Sequence, residues 1–452
     1  MIIFEKDARC SFYEVKVSFI NRPFCISDIS LLAQHQSSSY LGRMSKWIAS
    51  ITLLLSFPVL AQTYDGSASV FVPYANASRN VGLTSPPTVS LGFNQETGFS
   101  SFVMDTGSTG IIASTDIFAP AVGAQNLGAG SQFYSSSGRI LNGTWYSSTE
   151  NIYSDTGRIL ATANVPVLQV QTATCAVNAR ACTPDNHPTN ISMMGVGFAR
   201  ESSQQPRGIP AYNPFINITA IAAADGILHN VPIGWASGYV VTSGGTWLGL
   251  TRTDTANAAF AKLTQKTYPA VGGGSIIDWA PATMSLDING IKRNGNLLMD
   301  TGVTVSYLSP SPEQSAGVLV ACNNTGLVEC LSPGSTIGVS MPGLTDPIAY
   351  YTYKVGQVHN PMQPDQVVIA NDPSEVFLNT SAHFLNGMNF IFDPTNGYVG
   401  YQWTGNTSSS DGFVTSVPVP SQTGLVILGS FGLLLTQIRR RTAELPASVS
   451  AR

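Results

Sequence analysis

Two identical acidic triplets, Asp105-Thr106-Gly107 and Asp300-Thr301-Gly302, stand 195 residues apart in this 452-residue chain. Each sits in a longer matching frame. Residues 88–114, TVSLGFNQETGFSSFVMDTGSTGIIAS, align without a gap on residues 283–309, TMSLDINGIKRNGNLLMDTGVTVSYLS, and ten of the 27 positions are identical. A repeat of this kind puts one carboxyl group at the same structural point of two duplicated units. Two carboxyl groups brought within hydrogen-bonding distance cannot both ionise, so one keeps a proton while the other serves as a base. A water held between them would meet a general base and a general acid at once, which suits hydrolysis without a metal or a covalent intermediate. A third triplet, Asp155-Thr156-Gly157, acts as an internal control. It follows Tyr153-Ser154 and precedes Arg158, lacks apolar runs on both sides, and reads as a hairpin turn.

The elements that must carry these triplets are strands. Both frames read as an alternating strand, a turn, a continuous apolar strand, the triplet and a further strand. With 42 Gly, 27 Pro and many short runs of Val, Ile, Thr and Tyr between turn residues, the whole composition predicts a mainly β protein. The length exceeds one ordinary core, so two lobes are expected, an N-terminal lobe at 62–235 and a C-terminal lobe at 236–403, each giving one Asp to a cleft. Charged residues make up only 11% of the chain, which leaves Ser, Thr, Asn and Gln to form the polar surface. Residues 62–438 hold 12 Lys and Arg against 21 Asp and Glu, a net charge of −9 that argues against a nucleic-acid partner.

At these residues the chain resembles the pepsin-like aspartic proteases, a bilobal double-barrel acid protease fold with a cleft between the lobes. Further motifs extend the resemblance over roughly residues 64–403. Met193-Met194-Gly195-Val196-Gly197-Phe198 resembles the strand that passes behind the first catalytic loop. Phe384-Leu385, Phe390-Ile391-Phe392-Asp393 and Gly397-Tyr398-Val399-Gly400-Tyr401 resemble the closing segment of the second lobe. The resemblance implies that Asp105 and Asp300 are catalytic. It implies that Thr106 and Thr301 bond across the lobes, that Gly107 and Gly302 let backbone N–H groups reach the carboxylates, and that Ser108 supports Asp105. Tyr134, in Phe133-Tyr134-Ser135-Ser136-Ser137-Gly138, is the flap candidate; a surface tyrosine is the competing reading. Three positions depart from the pattern. Val303 stands where Ser or Thr is common, so Asp300 is expected to lack its outer support. Ile112 stands where Trp is common, and Asn379-Thr380-Ser381 replaces the second lobe's apolar-apolar-Gly run.

The two ends carry targeting signals. Residues 44–61, MSKWIASITLLLSFPVLA, read as a signal peptide with Lys46 at its start, an apolar stretch from Ile48 to Leu55, and Val59 and Ala61 before the cleavage point. Residues 1–43 then read as a mis-assigned upstream start. After a linker at 404–416, residues 417–452 open with Val417-Pro418-Val419-Pro420, continue through an apolar stretch from Gly424 to Leu435, and reach Arg439-Arg440-Arg441. This resembles the PEP-CTERM sorting tail of Gram-negative bacteria, which implies transient membrane contact and an extracytoplasmic, secreted or surface location. A permanent transmembrane anchor is the alternative. Cys175 with Cys182 and Cys322 with Cys330 each bracket a short loop and read as local disulfides of an exported chain. A zinc site is the rival reading, against which no Cys-x-x-Cys occurs and His187 has no spaced partner.

Two functions fit these residues. The first is an exported, monomeric aspartic endopeptidase acting on polypeptides, with no cofactor and no metal. The second is a pepsin-fold binding or surface protein with little or no catalysis, a reading carried by Val303 and Ile112.

Overall fold

The computed structural model describes residues 62–414, apart from 78–81, 95–97, 178, 202–204, 270–274, 323–327, 358–359, 371–374 and 406–411, together with four short strands near the start. Those four form two small antiparallel pairs, Ile3–Glu5 with Glu14–Lys16 and Ser18–Phe19 with Arg22–Pro23, within a separate unit at Met1–Val59. The signal-peptide segment at 44–61 and the tail at 417–452 lie outside the described residues. Among the described residues no helix is long and apolar enough to cross a membrane.

From Leu60 onward the chain builds two large sheets of the same design. In the first lobe Thr88–Phe93 and Ser100–Asp105 form a hairpin, the chain turns through the first acidic triplet, and Thr109–Ser114 leaves it. Ser192–Val196 then slots between the two arms, parallel to Ser100–Asp105 and antiparallel to Thr109–Ser114. In the second lobe Ala282–Ile288 and Ile291–Leu298 form the hairpin, and Ser306–Ser309 leaves the second triplet. Phe377–Asn379 fills the slot, parallel to Ile291–Leu298 and antiparallel to Ser306–Ser309. The mainly β fold with two lobes of matching design, expected from the composition and the duplication, is the one the chain adopts.

The repeated residue types explain the repeated architecture. Leu91 and Leu286, and Met104 and Met299, occupy matching positions, and all four are buried. Each such side chain withdrawn from water contributes roughly 2 kcal/mol, so the identities in the repeat are those a core requires. A third sheet of six strands joins the lobes, in the order Ala259–Lys262, Tyr398–Trp403, Met388–Asp393, Tyr239–Val241, Gly245–Leu248 and Val70–Pro73. The Phe390–Asp393 and Gly397–Tyr401 motifs therefore lie in this bridging sheet. Phe392 stacks there on Phe198 at 4.4 Å, which ties the sheet to the chain leaving the first lobe's inserted strand.

Two details refine the sequence reading. Within 404–416, Gly412–Val414 is an edge strand of the second lobe's sheet, paired with Ala349–Lys354. The control triplet at Asp155 lies in the turn between Arg139–Tyr153 and Ile159–Cys175, with Gly157 at φ 79°. It is thus the tip of a hairpin, as its turn residues predict, with Tyr153 paired to Ile159 on either side.

Candidate active site

The two triplets meet across the lobe interface. Thr106 N donates to Thr301 Oγ1 and Thr301 N donates to Thr106 Oγ1, both at 3.0 Å. Each hydroxyl in turn donates to a carbonyl of the opposite lobe, Thr106 Oγ1 to Met299 O at 2.5 Å and Thr301 Oγ1 to Met104 O at 2.6 Å. Four buried hydrogen bonds thus couple the loops and fix their separation.

That coupling sets each carboxyl group over the other loop's glycine. A Cβ added to Gly107 would lie 2.4 Å from Asp300 Cγ, and one added to Gly302 would lie 2.5 Å from Asp105 Oδ1. No real Cβ tolerates such contacts, so glycine is required at both positions by the approach of the opposite aspartate. Its own loop also serves each carboxylate. Gly107 N donates to Asp105 Oδ1 at 2.6 Å, and Gly302 N donates to Asp300 Oδ1 at 2.8 Å. Both aspartates are buried.

The outer carboxylate oxygens are supported differently in the two lobes. Ser108 Oγ donates to Asp105 Oδ2 at 2.5 Å. At the equivalent place in the second lobe Val303 has no hydroxyl, yet Asp300 is not left without a donor: Asn379 Nδ2 donates to Asp300 Oδ2 at 2.5 Å. This corrects the expectation drawn from Val303. The register gives the reason. Met193 pairs with Val103 and Asn379 pairs with Leu298, so Asn379 occupies the second lobe's counterpart of Met193. The hydrogen-bonding residue has moved from the loop to the inserted strand. Ser381 N donates to Asn379 Oδ1 at 3.0 Å, which fixes the amide with its N–H groups toward Asp300. Ser381 pays for this with a positive φ of 68°, strained for a non-glycine residue.

Burial first, and then the charge of Asp105, hold the Asp300 carboxyl well above the usual carboxylate range. A cavity of about 540 Å³ opens over the pair, lined by both aspartates, Tyr134, Val303 and Asn379. Tyr134 ends the strand Asn126–Tyr134, which pairs with Arg139–Tyr153 to form a hairpin with its turn at 135–138. The Tyr134 hydroxyl is pushed well above its ordinary range by burial and then by the Asp105 carboxylate. The turn of this hairpin is hydrogen-bonded to the loop that the Cys175–Cys182 disulfide closes. Ala176 N donates to Gly138 O at 2.8 Å, and Ala181 N donates to Ser137 O at 3.0 Å. The second disulfide, Cys322–Cys330, lies in the other lobe.

Several residues here were not singled out in the sequence. Trp145, fully buried, packs in one cluster with Ile112, Leu141 and Tyr212, and Tyr134 packs against that cluster. The indole thus comes from the strand Arg139–Tyr153, whereas the sequence pattern looks for one at position 112. Arg200 also faces the cavity, as do Arg139 and Arg180. Ala199, at a positive φ of 58°, turns the chain just before Arg200, and Asp278 Oδ2 accepts from Ala199 N at 3.2 Å. Among the described residues no group of His, Cys, Asp and Glu forms a metal cage.

Neither a protein-family model nor a curated protein sequence matches the chain. Among solved structures it is similar to the aspartic proteinase from Irpex lacteus, at 16% identity and a TM-score of 0.45, over 76% of this chain and 100% of that one.

Proposed function

We propose that this chain is an exported aspartic endopeptidase in which Asp105 and Asp300 together activate a water against a peptide carbonyl. The observation that carries the reading is the reciprocal seating of each carboxyl group over the glycine of the opposite triplet, locked by the Thr106–Thr301 exchange. Two buried carboxyl groups so close share one proton. Asp300 is driven toward its neutral form and is assigned the acid. Asp105, served by Gly107 N and Ser108 Oγ, is assigned the base. Asp105 takes a proton from the water as its oxygen attacks the carbonyl carbon, and Asp300 protonates the carbonyl oxygen as it becomes tetrahedral. Collapse of that intermediate breaks the C–N bond: the amine leaves with the proton first taken by Asp105, and one hydroxyl of the diol returns its proton to Asp300 as the carboxylic acid product forms. Tyr134 on the flap covers the reacting carbonyl.

The binding-protein alternative rested on Val303 and Ile112; the endopeptidase reading is supported by the amide of Asn379, which gives Asp300 an outer donor despite Val303, and by Trp145, which packs in one cluster with Ile112. The two disulfides fit an extracytoplasmic setting. Residues 44–61 as signal peptide and residues 417–452 as a PEP-CTERM-like sorting tail of a Gram-negative bacterium complete the reading, with the mature chain a monomer starting at Gln62. Purified protein should hydrolyse an unfolded polypeptide in acid, and pepstatin should abolish the cleavage. Acid cleavage that pepstatin leaves untouched, or none at all, contradicts the proposal.

A further inference from the structure

The cavity over the dyad holds five charged side chains: Asp105, Asp300, Arg139, Arg180 and Arg200. Among the described residues none of the three arginines belongs to an ion pair. With one proton shared by the dyad, the cleft carries two positive charges in excess. That excess sits on a body of opposite sign, since residues 62–438 carry a net −9.

The three arginines are not equivalent. Arg200 is half-buried, its enclosed Nε has no hydrogen-bond partner, and both aspartates act on it. It balances the dyad's single negative charge. Arg139 and Arg180 are left over, and both stand on the flap side of the cleft. Arg139 is the direct cross-strand partner of Tyr134. Arg180 belongs to the disulfide-closed loop docked under the flap turn, and its guanidinium lies 5.2 Å from the centre of the Tyr307 ring of the other lobe. Stacking and the short closed loop hold that cation in place before any ligand arrives, so little ordering entropy is lost on binding.

We propose that Arg139 and Arg180 make this cleft selective for peptides bearing an acidic side chain near the scissile bond. The inference rests on the endopeptidase reading and deepens it. A glutamate entering between two arginines is held in its ionised form below its free pKa, so the preference persists under the mildly acidic conditions that the dyad needs. Ionic strength weakens it, because the site is open to solvent.

The test uses matched peptides that carry Glu, Gln or Lys at each of the positions flanking one cleavable bond. The same sequences with a reduced, uncleavable bond serve for binding. At low salt and about pH 5 the parent protein should favour Glu over Gln by about tenfold in kcat/KM at one or more positions, and disfavour Lys. The Glu/Gln ratio should fall toward one in Arg139→Gln and Arg180→Gln, of which the second alters an exposed side chain. Equal cleavage of Glu and Gln peptides overturns the selectivity while leaving the protease reading intact. If no peptide is cleaved the protease reading fails, and the uncleavable set still decides the selectivity: tighter binding of Glu peptides that both substitutions abolish supports it, and indifferent binding overturns it.

Discussion

Asn379 does for Asp300 what Ser108 does for Asp105: each donates to the outer carboxylate oxygen at 2.5 Å, one from an inserted strand and the other from the triplet's own loop. The donors differ in chemistry. A serine hydroxyl can donate or accept, whereas the Nδ2 of an amide only donates, so Asn379 favours the ionised form of Asp300 and opposes the burial that raises it.

Removing that donor should therefore raise the Asp300 pKa further. Asn379→Ala should move the alkaline limb of the pH–kcat profile to higher pH, since that limb reports loss of the proton Asp300 carries, and should lower kcat by about tenfold or more. Adding Val303→Ser to that variant should recover part of the loss by restoring the first lobe's arrangement. A pH profile unmoved by Asn379→Ala would assign the residue a merely structural part.

Three buried carboxyl groups have folded pKa values raised above their unfolded ones: Asp300, Glu150 at about 8 and Asp278 at about 6, each chiefly through burial. A raised carboxyl pKa contributes stability that is complete below the unfolded value and is lost as pH climbs through the folded one. For Glu150 the loss spans the interval from its unfolded value to about pH 8, at roughly 1.4 kcal/mol per unit. The melting temperature should fall steadily from acid to neutral pH. Glu150→Gln, which keeps an acceptor for Val165 N, should flatten that fall and leave stability in acid nearly unchanged. Calorimetry across pH decides it, and a variant as pH-sensitive as the parent contradicts the assignment.

The Cys175–Cys182 loop is bonded to the turn of the proposed flap through Gly138 and Ser137. Replacing both cysteines by serine should cost about 2 kcal/mol of stability and raise KM several-fold, with a smaller change in kcat. Unchanged KM in a destabilised variant would separate the brace from the flap.

The cross-lobe threonines make a sharper structural prediction. Thr301→Val removes the donor to Met104 O and the acceptor for Thr106 N, both buried, and should cost about 2–4 kcal/mol. Thr301→Ser keeps both bonds and should cost much less. Urea unfolding of the two variants provides the comparison.

How far the sequence could be read depends on distance along the chain. The two acidic-triplet frames were legible because the duplication is gapless over residues 88–114 and 283–309, and strand, triplet and strand repeat as residue types. Asn379 was not, because it lies 79 residues from Asp300 and meets it only through the parallel pairing of Phe377–Asn379 with Ile291–Leu298. Its signal was present as a double exchange, Ser108 to Val303 and Met193 to Asn379, and it is intelligible only once the register sets those four positions side by side. Arg200 was hidden similarly: nothing local distinguishes it until the positive φ of Ala199 turns the chain into the cleft. The segments at 44–61 and 417–452 rest on residue pattern alone.

The central claim is that Asp105 and Asp300 form one dyad, and the direct measurement is acid hydrolysis of an unfolded polypeptide by Asp105→Asn, Asp300→Asn and Asp155→Asn beside the parent. Asn fills the same space as Asp and cannot exchange the proton, so the first two variants should each lose most turnover, by about a thousandfold or more, while melting as folded proteins. Asp155→Asn, in the exposed turn of the third triplet, should cleave at the parent's rate. Full activity in either Asp105→Asn or Asp300→Asn, with the parent active, would contradict the account.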